Sequence, residues 1–332
     1  MKSIAIFNNK GGVGKTTFLC NLASFLQTKM NKKVLVIDAD PQCNSSTYIL
    51  NTEMFINVYT EKNVLTINDI VTPLIKAKGY IQDFQPVKSD AFGIDIVPGN
   101  PKLATAEDFL SKDWGDVMSS QIRGIRTNML FIHFLTMCSE YDYVFFDMGP
   151  SLGALNRAVL LSCDYFITPM SSDIFSLLAL ENIGISIVKW KKIFNESIQK
   201  LMPQDLEDLS GLKSECSIKF LGYIEQQYIS KSVNGKGLAV KAYEKILEQI
   251  PNEIINHIVV PINGESFNVD YNIGSIPNFY SLVPMSQTAH KPIFLLNSND
   301  GVLGAHYKKV DDFLKLIERI SDRVLYNMGE IV

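Results

Sequence analysis

The chain has 332 residues, 46% of them hydrophobic and 20% charged, with a formal net charge of −4; it can bury a large core, and it lacks the overall basic field that would by itself imply nucleic-acid binding. Its five scattered cysteines (Cys20, Cys43, Cys138, Cys163, Cys216) show no C-x-x-C spacing and its four histidines are isolated, which argues against a disulfide framework or a zinc site. No apolar run reaches transmembrane length, and the first apolar segment ends too soon, at a glycine-rich loop, to read as a signal peptide.

The first predicted element is a short strand, Ile4–Phe7. It leads into Lys10, Gly11, Gly12, Val13, Gly14, Lys15, Thr16 and Thr17, followed by a helical stretch from Phe18 to Lys29. Strand, glycine turn and helix in that order predict a phosphate-binding loop. The glycines let successive N–H groups turn inward toward phosphate oxygens, and the helix adds its positive end. Lys15 is placed for the β- and γ-phosphates, and Thr16 for a Mg²⁺ ion. The spelling departs from G-x-x-x-x-G-K-[ST]: Asn9 stands at the first glycine position, and an extra lysine, Lys10, lies inside the loop.

The run Val34–Ile37 predicts a strand buried on both faces. It ends in Asp38 and Asp40, at the edge where open α/β sheets place their ligands. One acid is suited to support Mg²⁺ or the loop, the other to orient an attacking water. A further strand is predicted at Ile94–Val97, and another at Tyr143–Phe146 ending in Asp147, which is placed to hold a Mg²⁺-bound water. After it comes Met148-Gly149-Pro150-Ser151-Leu152-Gly153, a turn suited to sense a γ-phosphate. Tyr165–Thr168 and Ile218–Ile224 complete the predicted strands, and a last helix is predicted over Val310–Tyr326. Its apolar stripe faces a mixed-charge surface, which fits a packed helix better than a membrane anchor. Alternation of strands and helices predicts an α/β fold with a mostly parallel, doubly wound sheet. Without a glycine/proline-rich linker, residues 1–332 read as one domain.

The loop spelling resembles the deviant Walker A motif of the ParA/MinD family of P-loop ATPases. Asp38-Ala39-Asp40-Pro41-Gln42 is similar to the family's D-x-D-P-Q switch I, and Asp147 to Gly153 to its D-x-P-P-S-L-G switch II, with Gly149 in place of the first proline. That exchange restores an N–H and is expected to loosen the turn. Asp95–Asn100, Asp164–Met170, the helix from Asp173 to Ile183, Ser275-Ile276-Pro277-Asn278 and His290-Lys291-Pro292-Ile293 extend the resemblance over most of the chain. Residues 195–217 and 252–273 match poorly and read as insertions.

The resemblance implies ATP and Mg²⁺, a homodimer formed on ATP binding, and hydrolysis that is slow until a partner stimulates it. It implies that Lys10 crosses into the partner's nucleotide site, that Lys15 and Asp40 serve catalysis, and that Thr16, Asp38 and Asp147 form the metal side. It also implies that Pro277 and Asn278 line the adenine pocket. The expected role is DNA partition or intracellular positioning in the cytoplasm, on the nucleoid if DNA is bound, with a ParB-like or other adaptor. The chain reads as the short-N-terminus form, without an operator-binding domain. Lys189, Lys191 and Lys192, and Lys309, Arg319 and Arg323, are the candidates for nonspecific DNA contact. No cysteine lies between Asp147 and Ser162, against an Fe–S cluster of the nitrogenase iron protein type. A nucleotide-controlled regulator that recruits a partner, in a plasmid or defence locus, is the alternative; an ATP-dependent metabolic enzyme of the same fold is the third reading.

Overall fold

The computed structural model describes residues 1–61, 64–171, 173–207, 209–213, 215–228, 248–264 and 269–331. Eight strands form one sheet: β1 (Lys2–Ile6), β2 (Val34–Ala39), β3 (Val87–Ser89), β4 (Ile94–Val97), β5 (Tyr143–Met148), β6 (Tyr165–Ser171), β7 (Lys219–Tyr228) and β8 (Asn272–Pro277). Their order is β3-β4-β2-β5-β1-β6-β7-β8. All neighbours run parallel except the edge pair β3/β4.

Alternation along each central strand divides the core in two. Ala5, Leu35, Ile37, Val144 and Phe146 point to one face, where they meet helices Ala104–Met118, Ala154–Ser162 and Ile174–Gln199. Ile4, Ile6, Val34, Val36 and Phe145 point to the other, against helices Lys15–Met30 and His306–Asn327. The unbroken apolar runs of the sequence follow from this burial on both faces.

One strand, β3, escapes the sequence reading, and of β8 only the end at Ser275–Pro277 is legible, through the family resemblance. β3 has three residues, too few to establish a period, and β8 interrupts its two isoleucines with glycine and serine. The helix expected over Asp173–Ile183 runs on to Gln199, so residues 195–199 of the first expected insertion extend a family helix. Residues 252–264 of the second form helical turns that pack on it. There a Cβ at Gly184 would collide with the backbone carbonyl of His257.

That close approach yields a stability test. Gly184→Ala is expected to cost about 1–3 kcal/mol, the usual penalty of overpacking, seen as a lower urea midpoint.

Candidate functional site

The loop after β1 is fixed before it turns. Asn8 Nδ2 donates to Pro169 O at 2.8 Å, and Asn8 Oδ1 accepts from Lys10 N at 2.9 Å. The chain is left-handed at Gly12 and Gly14, with φ of 73° and 76°. Asn9 is not, so asparagine at the first glycine position carries no backbone strain. Helix Lys15–Met30 starts directly after Gly14. The loop opens on a cavity of about 730 Å³ lined by Gly11 to Thr17 with Asp40, Gln42, Pro150 and His290. A neighbouring cavity of about 260 Å³ shares Gly14 and Thr17 and carries Pro277, Asn278 and Gln226. The phosphate loop and the expected base-pocket residues thus line two adjoining cavities that share Gly14 and Thr17.

Under the loop lie the acids. Asp38 and Asp147 are paired across β2 and β5, and both are almost wholly buried. Thr16 Oγ1 and Ser45 Oγ donate to Asp147 Oδ2 at 2.8 and 2.5 Å. Asp147 Oδ1 is buried without a partner among the described residues. Ser46 donates to Asp38 Oδ2 through its N–H at 2.8 Å and its hydroxyl at 2.6 Å. The Asp38 carboxylate therefore anchors helix Asn44–Ile49 and is turned to Ser46. Asp40 Oδ1 accepts from Gln42 N at 3.0 Å, and its side chain lines the larger cavity.

Burial holds both Asp38 and Asp147 above the ordinary carboxylate range, and for Asp38 the neighbouring Asp147 adds repulsion. Burial also pushes the Lys15 ammonium down, against the pull of Asp147 and Asp40. The orphaned Asp147 oxygen beside the Thr16 hydroxyl fits a hydrated divalent cation, which would restore its missing partner.

Lys10 does not face this cavity. Its Nζ lies 2.5 Å from Asp173 Oδ2, with both side chains about one-third exposed. Asp173 also caps helix Ile174–Gln199, accepting from Phe175 N and Ser176 N. Partial burial raises the Asp173 carboxyl, but the bonds from Lys10 and Ser176 outweigh it and hold the group below its ordinary value.

An AAA domain family model (AAA_31) matches residues 1–200. The chromosome partitioning protein ParA of Caulobacter vibrioides is 27% identical over 204 residues, 60% of this chain and 67% of that protein. MJECL24, an uncharacterized protein of Methanocaldococcus jannaschii, is 27% identical over 308 residues, 90% of this chain and 93% of that one. The crystal structure of DIP2308 from Corynebacterium diphtheriae superposes with a TM-score of 0.70 at 26% identity, covering 99% of both chains. The chain belongs to the ParA/MinD-type P-loop ATPases.

Three residues of this ParA/MinD-type site, Ser45, Ser46 and Gln226, carry no signal in the sequence, and a fourth, His290, is legible there only through the turn it shares with the family. Ser45 and Ser46 open a short helix, where serine reads as ordinary capping chemistry. Gln226 offered no motif; its amide lies 3.0 Å from where a Cβ at Gly14 would be. His290 replaces a family glycine and takes the left-handed conformation itself, at φ 48°. The switch II turn is held from the following helix: Asn156 Nδ2 donates to Gly149 O at 2.8 Å and Ser151 O at 2.7 Å.

Five of the six candidate DNA contacts make a long or single contact within the chain, of the kind that is weak at a surface. Lys191 Nζ donates to Ile262 O at 3.3 Å. Lys192 lies 3.9 Å from Glu196, and Arg323 lies 4.0 Å from Asp270. Lys309 lies over the Tyr280 ring at 5.5 Å, and Arg319 Nε donates to Lys315 O at 3.3 Å. No helix of the described residues is long and apolar enough to cross a membrane.

The raised carboxyls of the acid pair lead us to expect that the stability of the nucleotide-free protein depends on pH. A carboxyl whose folded pKa lies above its unfolded one binds its proton more tightly when folded, so stability falls as pH rises between the two values. Between pH 6 and pH 8 the nucleotide-free protein is expected to lose about 1 kcal/mol or more. Asp38→Asn should flatten that slope in urea titrations at the two pH values.

Proposed function

We propose that the chain is an ATP-driven dimerising switch that hydrolyses ATP to ADP and phosphate in the partition of DNA or the positioning of another cargo. The observation that carries this reading is the Lys10–Asp173 pair. A lysine inside a phosphate loop points away from its own cavity and rests on a half-buried carboxylate. Such a lysine has a second destination, the phosphates bound by another copy. The exposed stripe Ile174, Phe175, Leu178 and Ile185 begins beside Asp173, and a second copy covering it would complete that path.

In this reading Lys15 and the N–H groups of Gly11 to Thr17 hold the phosphates, and Pro277 and Asn278 flank the base. Thr16 and Asp147 would hold Mg²⁺, which would supply charge neutralisation for phosphoryl transfer. Asp38 stands behind them and fixes the helix that carries Ser45 and Ser46. Asp40 accepts from and orients the attacking water. Residues 195–217 and 252–273 are this chain's own additions to a single ATPase domain of residues 1–332. A ParB-like or other adaptor would speed hydrolysis in the cytoplasm.

Lys15→Ala is expected to weaken MgATP binding about 100-fold, the loss of a charge-assisted phosphate contact, measured by calorimetry. Undiminished affinity would remove the phosphate-loop assignment. Lys10→Ala should keep ATP affinity within about threefold, since only a uniform contact to ATP would change it. It should lose the dimer that light scattering detects for the wild type, or for Asp40→Ala, with MgATP. A monomer in every nucleotide state would end the dimer reading.

DNA binding by the dimer, without sequence preference, is the finer part of the reading. The net charge of −4 favours recruitment of a protein partner as the second reading. Mobility shifts with random duplex at low and moderate salt separate the two. Partition predicts binding with ATP and not ADP, falling steeply with salt because contact with several phosphates releases their counterions. Binding that ignores the nucleotide, or none at low salt, favours the partner-recruiting regulator.

A further inference from the structure

Helix Ala154–Ser162, which follows switch II, begins at Gly153 and so has no capping side chain of its own. Its first N–H groups are taken by Glu107, from helix Ala104–Met118. Ala154 N donates to Oε1, and Leu155 N donates to Oε2 at 2.9 Å. A carboxylate receiving two N–H groups at a helix start gains both from charge-assisted hydrogen bonds and from the helix dipole. Glycine at 153 is needed for this reach, because a Cβ there would collide with the Glu107 carboxylate.

The same two helices meet again one turn on. The Arg157 guanidinium lies 4.0 Å from the centre of the Trp114 ring and 5.9 Å from that of Trp190. Its Nη2 donates to Leu110 O at 3.4 Å. From this anchored helix Asn156 reaches back to Gly149 O and Ser151 O. Gly149 in turn lies so close to Asp40 that a Cβ there would be 3.2 Å from Oδ1. A continuous set of hydrogen bonds and contacts therefore runs from Glu107 to the carboxylate at the reaction centre.

We propose that Glu107 is a positioning residue, a latch that holds the switch II turn against Asp40 and thereby sets the hydrolysis rate without contacting ATP. The proposal rests on the ATPase reading above. With the latch gone, the turn spends less time in the arrangement that places Asp40, and turnover falls with the population of that arrangement. Lys15 and the loop N–H groups are untouched, so the affinity for ATP stays.

Glu107→Ala and Glu107→Gln, in the full chain, test this by three measurements: MgATP affinity, turnover, and amide hydrogen exchange over residues 149–155. For Glu107→Ala we expect affinity within about threefold, turnover about tenfold lower, the scale of one lost helix cap, and faster exchange at Ala154 and Leu155. Glu107→Gln keeps a neutral acceptor and should fall between Glu107→Ala and wild type; it also carries the test if the alanine variant does not fold. Unchanged or faster turnover, or a loss of turnover that follows lost ATP affinity, would overturn the latch. A wild-type protein that does not hydrolyse ATP would overturn the ATPase reading instead. The exchange comparison would then decide the latch by itself, unchanged protection in the variants overturning it.

Discussion

Two carboxylates buried side by side constrain this molecule more than any other feature. Asp38 and Asp147 occupy matched positions on adjacent strands, at the end of the sheet where the loop also emerges. Buried charge without compensation costs several kcal/mol. The fold answers with hydroxyls: Thr16 and Ser45 on one acid, Ser46 on the other. Each comes from a helix that must start in a particular place, so the acids set where helices Lys15–Met30 and Asn44–Ile49 begin. One oxygen, Asp147 Oδ1, is left without a partner among the described residues.

What the sequence revealed, and what it concealed, divides along the range of the interactions. Val34–Ile37 and Tyr143–Phe146 were legible as strands because burial on both faces leaves unbroken apolar runs. The phosphate loop was legible because its chemistry is local: glycines, lysine and threonine contiguous between a strand and a helix. β8 was legible only at its end, through the resemblance and not from its own pattern, since its place at the sheet edge beside helix His306–Asn327 lets glycine and serine stand where a central strand needs apolar bulk. Long-range pairs were hidden altogether. Nothing near Lys10 predicts Asp173 as its partner, and nothing near Gly153 predicts Glu107. Asp38 shows the limit from the other side: its spacing from Asp40 fitted a metal-side acid, yet only the fold reveals that its carboxylate serves Ser46.

Helix Ile174–Gln199 joins features that lie far apart in the chain. Its N-cap, Asp173, holds Lys10. Its middle receives the 255–263 turns at Gly184, and Trp190 flanks Arg157 of the helix after switch II. One helix therefore carries all three attachments. The expected insertions adjoin it too, one as its extension and one packed on its side.

The cysteines offer a view of this layer that needs no nucleotide. All five are free thiols and buried, and Cys20 lies beneath the acids, its Sγ 3.8 Å from Ser45 Oγ. Burial, and then the nearby Asp147, push its thiol well above the ordinary value, so the closed protein offers almost no thiolate to an alkylating reagent. Modification at this position has to wait for the floor of the site to open. Its rate is thus a built-in clock for local unfolding beneath the phosphate loop, and a ligand that closes the site over that floor slows the clock in proportion to its occupancy.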